Sequence, residues 1–92
     1  MKERVVTIRN RAGIHCRPSG VILNTINQEF PYHRFEIEAG GNRIELNSML
    51  ALISLGLALG AQATLRCTGQ NEEMAIRRIG DLFETEFDFP AR

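Results

Sequence analysis

AGIHCRPS, residues 12–19, places a histidine between a glycine turn and the start of a predicted helix. Gly13 lets the backbone turn sharply, because glycine has no Cβ and reaches positive φ angles easily. Pro18 suits a first helical turn, since its fixed φ fits the helix and its missing N–H would have no helical partner there. We therefore expect the ring of His15 to lie exposed where a helix begins.

A strand and a helix are predicted on the two sides of this turn. The β-branched run Val5–Ile8 predicts a strand before it, with Val6 and Ile8 on one face. After the turn, apolar residues recur at helical spacing and form one stripe, made of Ile22, Leu23, Ile26 and Phe30. Pro31 ends this helix, because the residue before a proline is pushed out of the α region.

Further along the chain, the residue pattern predicts three more strands and two more helices. The strands are expected at residues 34–39, 43–46 and 61–68, and the helices at residues 49–55 and 72–83. Gly40 and Gly41 join the first two of these strands as a hairpin. Ser48 and Asn71 stand where helix caps are expected. Alternating strands favour an antiparallel sheet with helices on one face, which gives a two-layer α+β sandwich.

Size and charge limit the possible function classes. The 92 residues suffice for one domain, and 11 acidic and 11 basic residues give zero net charge, which argues against bulk nucleic-acid binding. The two cysteines lack zinc-site spacing, so neither a metal site nor a disulfide scaffold is expected. The start of the chain has no signal-peptide core, and the longest apolar run, residues 49–61, is too short to span a membrane. A cytoplasmic protein is therefore expected.

The turn contains the groups that phosphoryl transfer needs. An imidazole is a good nucleophile near pH 7, because its ordinary pKa is about 6.5, and its attack on a phosphoryl donor gives a phosphoimidazole that can pass the group on. Free N–H groups at the helix start and the guanidinium of Arg17 would balance the phosphoryl charge. Three interpretations stay open on this basis: a phosphoryl carrier, a thiol enzyme that uses Cys16 with His15, and a binding module with an ordinary surface histidine.

Three segments of the chain together resemble one known family. Gly13–Pro18 is similar to the signature Gly-Leu-His-x-Arg-Pro, and residues 47–56, NSMLALISLG, are similar to a serine-containing segment. Residues 69–75, GQNEEMA, are similar to Gly-x-Asp-Glu-x-x-Ala before a last helix. In this order, the motifs resemble those of HPr, the histidine-containing phosphocarrier family of the bacterial sugar phosphotransferase system. The resemblance runs from about Val5 to Phe83.

The resemblance implies one HPr-like phosphocarrier domain over residues 1–92, with an open-faced β-sandwich of four antiparallel strands and three helices on one face. His15 would accept a phosphoryl group on Nδ1 from phosphorylated enzyme I and pass it to IIA domains of sugar permeases. Arg17 would share the catalytic role by neutralising the phosphoryl oxygens, and the backbone N–H groups of Cys16 and Arg17 would bind the phosphate. The chain would be a carrier within a transferase system, without turnover of its own and without a cofactor.

Ser48 resembles the regulatory serine that an HPr kinase/phosphorylase modifies in some bacteria. A phosphate there would lie at a helix N-terminus, which favours negative charge. It would also place about two negative charges beside Met49 and Leu52, which we expect to be exposed for partner docking. The alternative within the family is a regulatory paralogue, whose phosphorylation controls other enzymes or regulators rather than sugar uptake. Cys16 replaces the small or hydroxyl residue that is usual in the family.

Overall fold

The computed structural model describes residues 1–87, so residues 88–92 of the expected domain lie outside the described part. Four strands and three helices follow one another along the chain. They are β1 (Lys2–Thr7), α1 (Cys16–Glu29), β2 (Arg34–Ala39), β3 (Asn42–Glu45), α2 (Met49–Ser54), β4 (Gln62–Thr68) and α3 (Glu72–Phe83). This confirms the predicted element order.

The four strands form one antiparallel sheet in the order β1-β4-β2-β3. Alternate strand residues are buried on one face, including Val6, Phe35, Ile37 and Leu65. The other face carries charged side chains, and there Arg66 donates to Glu3 and to Glu38. The predicted fold class is therefore confirmed: an open-faced α+β sandwich.

The core lies between the sheet and the apolar faces of the helices. Helix α1 contributes Ile22 and Ile26, and helix α3 contributes Ile79 and Phe83, all of them buried. Helices α1 and α3 pack against each other, and α3 also contacts β1 and β4. The strand that precedes the His15 turn and the helix that follows it are thus both part of the core.

Helix α3 begins differently from the prediction that Asn71 caps it. Asn71 adopts the left-handed conformation, with φ 55°, and its side chain makes no capping hydrogen bond. Its backbone carbonyl accepts from the N–H groups of Met74 and Ala75 instead. The reason is that the chain leaves β4 through a tight turn, and Asn tolerates the left-handed conformation that this turn requires.

A cluster of charged groups ties β1 to the end of α3. The guanidinium of Arg4 lies 3.0 Å from the Asp81 carboxylate and 2.8 Å from the Glu84 carboxylate. Glu84 also accepts a 2.9 Å hydrogen bond from the backbone N–H of Thr7. These two contacts lower the pKa of Glu84, and the Thr7 hydrogen bond lowers it more than Arg4 does.

Within residues 1–87, no helix has the length and apolar character needed to cross a membrane.

Candidate functional site

The turn before His15 is packed tightly against the loop that follows α2. Gly13 has φ +75°, and a Cβ at this position would overlap the carbonyl oxygen of Leu57. The backbone N–H of Ile14 donates to that same oxygen at 2.8 Å, and the Ile14 side chain is buried in the core. Only glycine therefore fits at position 13, and the residue that precedes His15 is anchored on both its backbone and its side chain.

His15 is the N-cap residue of α1, with φ −102° and ψ −160°. Its Nδ1 lies 3.4 Å from the backbone nitrogen of Arg17 and accepts from that N–H, and its carbonyl oxygen accepts from Ser19 N–H at 3.0 Å. In a neutral ring, an accepting Nδ1 leaves the proton on Nε2. The Nδ1 lone pair thus points toward the start of the helix, and the ring is half-exposed.

The start of α1 favours an anion. Its first turn holds no acidic residue, and Arg17 is exposed there. A helix of 14 residues directs free N–H groups and the positive end of its dipole toward this point. The structure therefore places His15, the backbone N–H groups of Cys16 and Arg17, and the Arg17 residue at one helix terminus.

Asn10 is a part of this region that sequence reasoning missed. It is fully buried, and its side-chain amide donates to the carbonyl oxygen of Gly13 at 2.7 Å. Asn followed three residues later by Gly is a pattern typical of a type I turn, so the chain did carry a local signal. It carried no signal for the other partner, because the Asn10 side-chain oxygen accepts from the backbone N–H of Phe87, far along the chain.

Ser48 caps α2, because its Oγ accepts from the backbone N–H of Ala51 at 3.3 Å. Met49 is 40% exposed, and its terminal methyl lies 3.6 Å from the point that a Cβ at Gly20 of α1 would occupy. Leu52, however, is fully buried, which corrects the expectation that it is exposed for docking. In a helix capped by Ser48, the residue four positions after the cap faces the core, and Leu50, which is 78% exposed, takes the outward position instead.

The comparisons with known proteins agree with this geometry. A family model described as "PTS HPr component phosphorylation site" matches residues 2–85. The chain belongs to the HPr family. It is 34% identical over 86 residues to phosphocarrier protein NPr of Escherichia coli K12, an alignment that covers 94% of each chain.

Solved HPr structures share the fold. HPr from Bacillus anthracis superposes with a TM-score of 0.81 at 19% identity, over 90% of this chain and 96% of that one. A second HPr structure, HPr-C-His from Thermoanaerobacter tengcongensis, superposes with a TM-score of 0.80 at 29% identity, over 90% of this chain and 91% of that one. The four-stranded sheet with three helices is thus the HPr fold.

The two cysteines of this HPr-family chain lie in opposite environments. Cys16 is exposed as the first residue of α1, and Cys67 is buried on β4. Burial raises the pKa of the Cys67 thiol to about 11, and the nearby Glu72 carboxylate adds to this rise. Cys16 is therefore accessible to solvent, whereas Cys67 is buried and harder to ionise than an ordinary thiol.

In residues 1–87, no three His, Cys, Asp or Glu side chains are grouped to hold a metal ion.

Proposed function

We propose that this chain carries a phosphoryl group on His15 Nδ1, which it accepts from phosphorylated enzyme I and passes to IIA domains of sugar permeases. The observation that carries the proposal is the position of Nδ1, 3.4 Å from the Arg17 backbone nitrogen at the start of α1. On this proposal, residues 1–92 form one phosphocarrier domain that works in the cytoplasm.

Each transfer breaks one bond to phosphorus and forms another. The Nδ1 lone pair attacks phosphorus, the bond from phosphorus to the donor breaks, and the donor keeps that electron pair. Because the Nε2 proton stays in place, the phosphorylated ring carries one formal positive charge, which partly offsets the charge of the phosphoryl oxygens and makes the ring a good leaving group in the next transfer. The Arg17 N–H, no longer bonded to Nδ1, is then free to donate to a phosphoryl oxygen together with the N–H of Cys16. The guanidinium of Arg17 balances the remaining charge.

A second function within the family is a regulatory one. A paralogue of this kind would accept the same phosphoryl group and then act on other enzymes or regulators instead of feeding sugar uptake. The 34% identity with a protein named NPr over 94% of both chains favours keeping this candidate. The two functions share the His15 chemistry and differ only in the acceptor, so purified acceptor proteins separate them. A sugar-permease IIA domain that takes label from the phosphorylated chain supports the relay, and failure with every such domain supports regulation.

The experiment that tests the carrier function is labelling with enzyme I and radioactive phosphoenolpyruvate. We expect label that is labile in acid and stable in alkali, and that His15→Ala abolishes. The chain holds two histidines, so His33→Ala is a matched control that should keep the label. Label that survives in His15→Ala, or that disappears only in His33→Ala, would refute the assignment.

We also propose that Ser48 is a site of regulatory phosphorylation by an HPr kinase/phosphorylase. Its Oγ already lies at the N-terminus of α2, where a phosphate would meet backbone N–H groups, and the exposed Met49 follows it. Incubation with ATP and a purified HPr kinase should give acid-stable label that Ser48→Ala removes. Absence of such label with an active kinase contradicts the proposal.

A further inference from the structure

The loop between β1 and the His15 turn is organised around one buried polar side chain. Asn10 has no exposed surface, although asparagine is a strongly polar residue. Burying an amide group costs free energy unless its donors and acceptors find partners. The partners of Asn10 therefore determine how this loop is held.

The side chain of Asn10 uses its nitrogen and its oxygen for different partners. Nδ2 donates to the carbonyl oxygen of Gly13 at 2.7 Å, and Oδ1 accepts from the backbone N–H of Phe87 at 2.7 Å. The backbone of Asn10 adds a third contact, because its carbonyl oxygen accepts from Gly13 N–H at 2.9 Å. One carboxamide thus closes the turn from inside and joins it to the segment after α3.

The peptide group between Gly13 and Ile14 is held at both of its polar atoms. Its oxygen accepts from Asn10, and its N–H donates to the carbonyl oxygen of Leu57 at 2.8 Å. A planar peptide group with both ends fixed cannot rotate about its neighbouring bonds. Only Ile14, whose side chain is buried in the core, separates this peptide from His15, so the orientation of the peptide constrains the direction in which the histidine leaves the turn.

We propose that Asn10 is a positioning residue for phosphoryl transfer, which aims His15 Nδ1 at the start of α1 and couples that aim to the backbone at Phe87. The inference rests on the proposed carrier function. Asn10 acts through the Gly13–Ile14 peptide and makes no contact with phosphorus. Loss of its donor releases one end of that peptide, and the His15 ring then samples orientations in which Nδ1 points away from the Arg17 N–H.

The first test is Asn10→Asp, which keeps the oxygen that accepts from Phe87 and replaces the donor to Gly13 with an acceptor. Because misorientation of a reacting group slows the chemical step, we expect kcat for phosphorylation by enzyme I to fall roughly 10- to 100-fold, with KM nearly unchanged. The backbone N–H resonance of Arg17 and the ring ¹⁵N resonances of His15 should shift in the unphosphorylated protein.

Ile37→Ala is the matched control for lost stability, since Ile37 is fully buried on β2 and belongs to neither the turn nor α1. It should lower the denaturation midpoint at least as much as Asn10→Asp while kcat and the Arg17 resonance stay at wild-type values. The proposal is overturned if Asn10→Asp leaves kcat and these resonances unchanged, or if Ile37→Ala lowers kcat equally.

A pair of variants at Phe87 tests the coupling and also serves if Asn10→Asp does not fold. Phe87→Ala removes the ring and keeps the N–H, whereas Phe87→Pro removes both. We expect the Arg17 and His15 resonances to move further in Phe87→Pro than in Phe87→Ala, and equal shifts would refute the coupling. The resonances are read without phosphate, so failure of the wild-type chain to accept label would refute the carrier function and leave this test standing.

Discussion

Gly13 allows the turn before His15 to pack directly against the Leu57 backbone. We expect Gly13→Ala to destabilise the fold by about 2–4 kcal/mol, because alanine would adopt a left-handed conformation and its Cβ would overlap the Leu57 carbonyl. The denaturant midpoint measures this loss, and phosphorylation by enzyme I should slow as the turn is displaced.

The matched control for this prediction is Gly56→Ala. Gly56 also has a positive φ, +65°, but a Cβ there would meet nothing within 4 Å. Only the conformational cost, about 1 kcal/mol, should then appear, and phosphorylation should be unaffected. If the two variants behave alike, the contact with Leu57 does not matter.

The two thiols should react at very different rates in the folded protein. At pH 8 a thiol with a pKa of about 11 is ionised to roughly one part in a thousand, and Cys67 is buried as well. Iodoacetamide should therefore modify Cys16 first, as intact mass will show, and Cys16→Ser should prevent this early addition. Addition to Cys67 in the native state at a comparable rate would contradict the structure.

Some residue-scale features could be predicted from the sequence and others could not. The Gly13–Pro18 order was enough to place His15 at a helix start, because each residue there has a local conformational preference. Leu50 and Leu52 are the same residue type, so hydrophobicity does not distinguish them. Only the phase of the six-residue helix α2 decides which of the two is buried. The partner of Asn10 at Phe87 depends on tertiary structure, so no local rule could identify it.

Helix α2 depends on its cap, because six residues are too few to form a stable helix alone. Ser48→Ala should cost about 1 kcal/mol in unfolding free energy by removing the acceptor for Ala51 N–H. Ser48→Asp should keep stability near that of wild type, since aspartate is an equally good cap. Denaturant titration of the three proteins checks this order.

Ser48→Asp also tests whether charge at this cap affects docking. The added carboxylate would lie next to Met49, whose terminal methyl lies 3.6 Å from the point that a Cβ at Gly20 of α1 would occupy. We expect a higher KM for enzyme I at unchanged stability, and Ser48→Asn, a neutral cap, should behave as wild type. A KM that does not respond to the charge would show that enzyme I does not dock on this surface.

Element bounds follow partly from backbone pairing, which side-chain patterns do not report. Strand β1 begins at Lys2, before the β-branched run that predicted it, because its backbone pairs with β4 as far as Cys67. The hairpin between β2 and β3 was predictable, because a Gly-Gly pair between two alternating runs favours a tight hairpin turn. The structure shows both Gly40 and Gly41 at the positive φ that such a turn requires. Asn71 was predicted as a side-chain cap and instead supplies a left-handed turn.

At the scale of the whole molecule, Glu84 joins the first strand to the last helix. Its lowered pKa means that it stabilises the fold fully above its ordinary value of 4.5, and that this contribution is lost as the pH falls through the folded value. Glu84→Gln should reduce the unfolding free energy by about 1–2 kcal/mol at pH 7, and the difference from wild type should shrink below pH 4.5.

Chemical denaturation at several pH values measures this effect. Glu86→Gln, an exposed carboxylate two residues later, should change stability by less than about 0.5 kcal/mol across the range. A Glu84→Gln difference that does not vary with pH would contradict the role of its charge.

The strand order β1-β4-β2-β3, which places β1 at the edge of the sheet, could not be predicted from local sequence patterns, because it arises from pairing between distant segments.

Strand β1 pairs with β4 across about 60 residues of chain, with Lys2 opposite Cys67 and Thr7 opposite Gln62. During synthesis, the first strand therefore leaves the ribosome without a partner and waits until most of the chain has followed. Closing so long a loop is entropically costly and slows folding. The backbone N–H of Phe87, which donates to Asn10 beside the His15 turn, is likewise made 77 residues after its partner. If Asn10 positions His15 as proposed, a nascent chain that stops before Phe87 should accept phosphoryl groups poorly, because neither the sheet nor this hydrogen bond has formed.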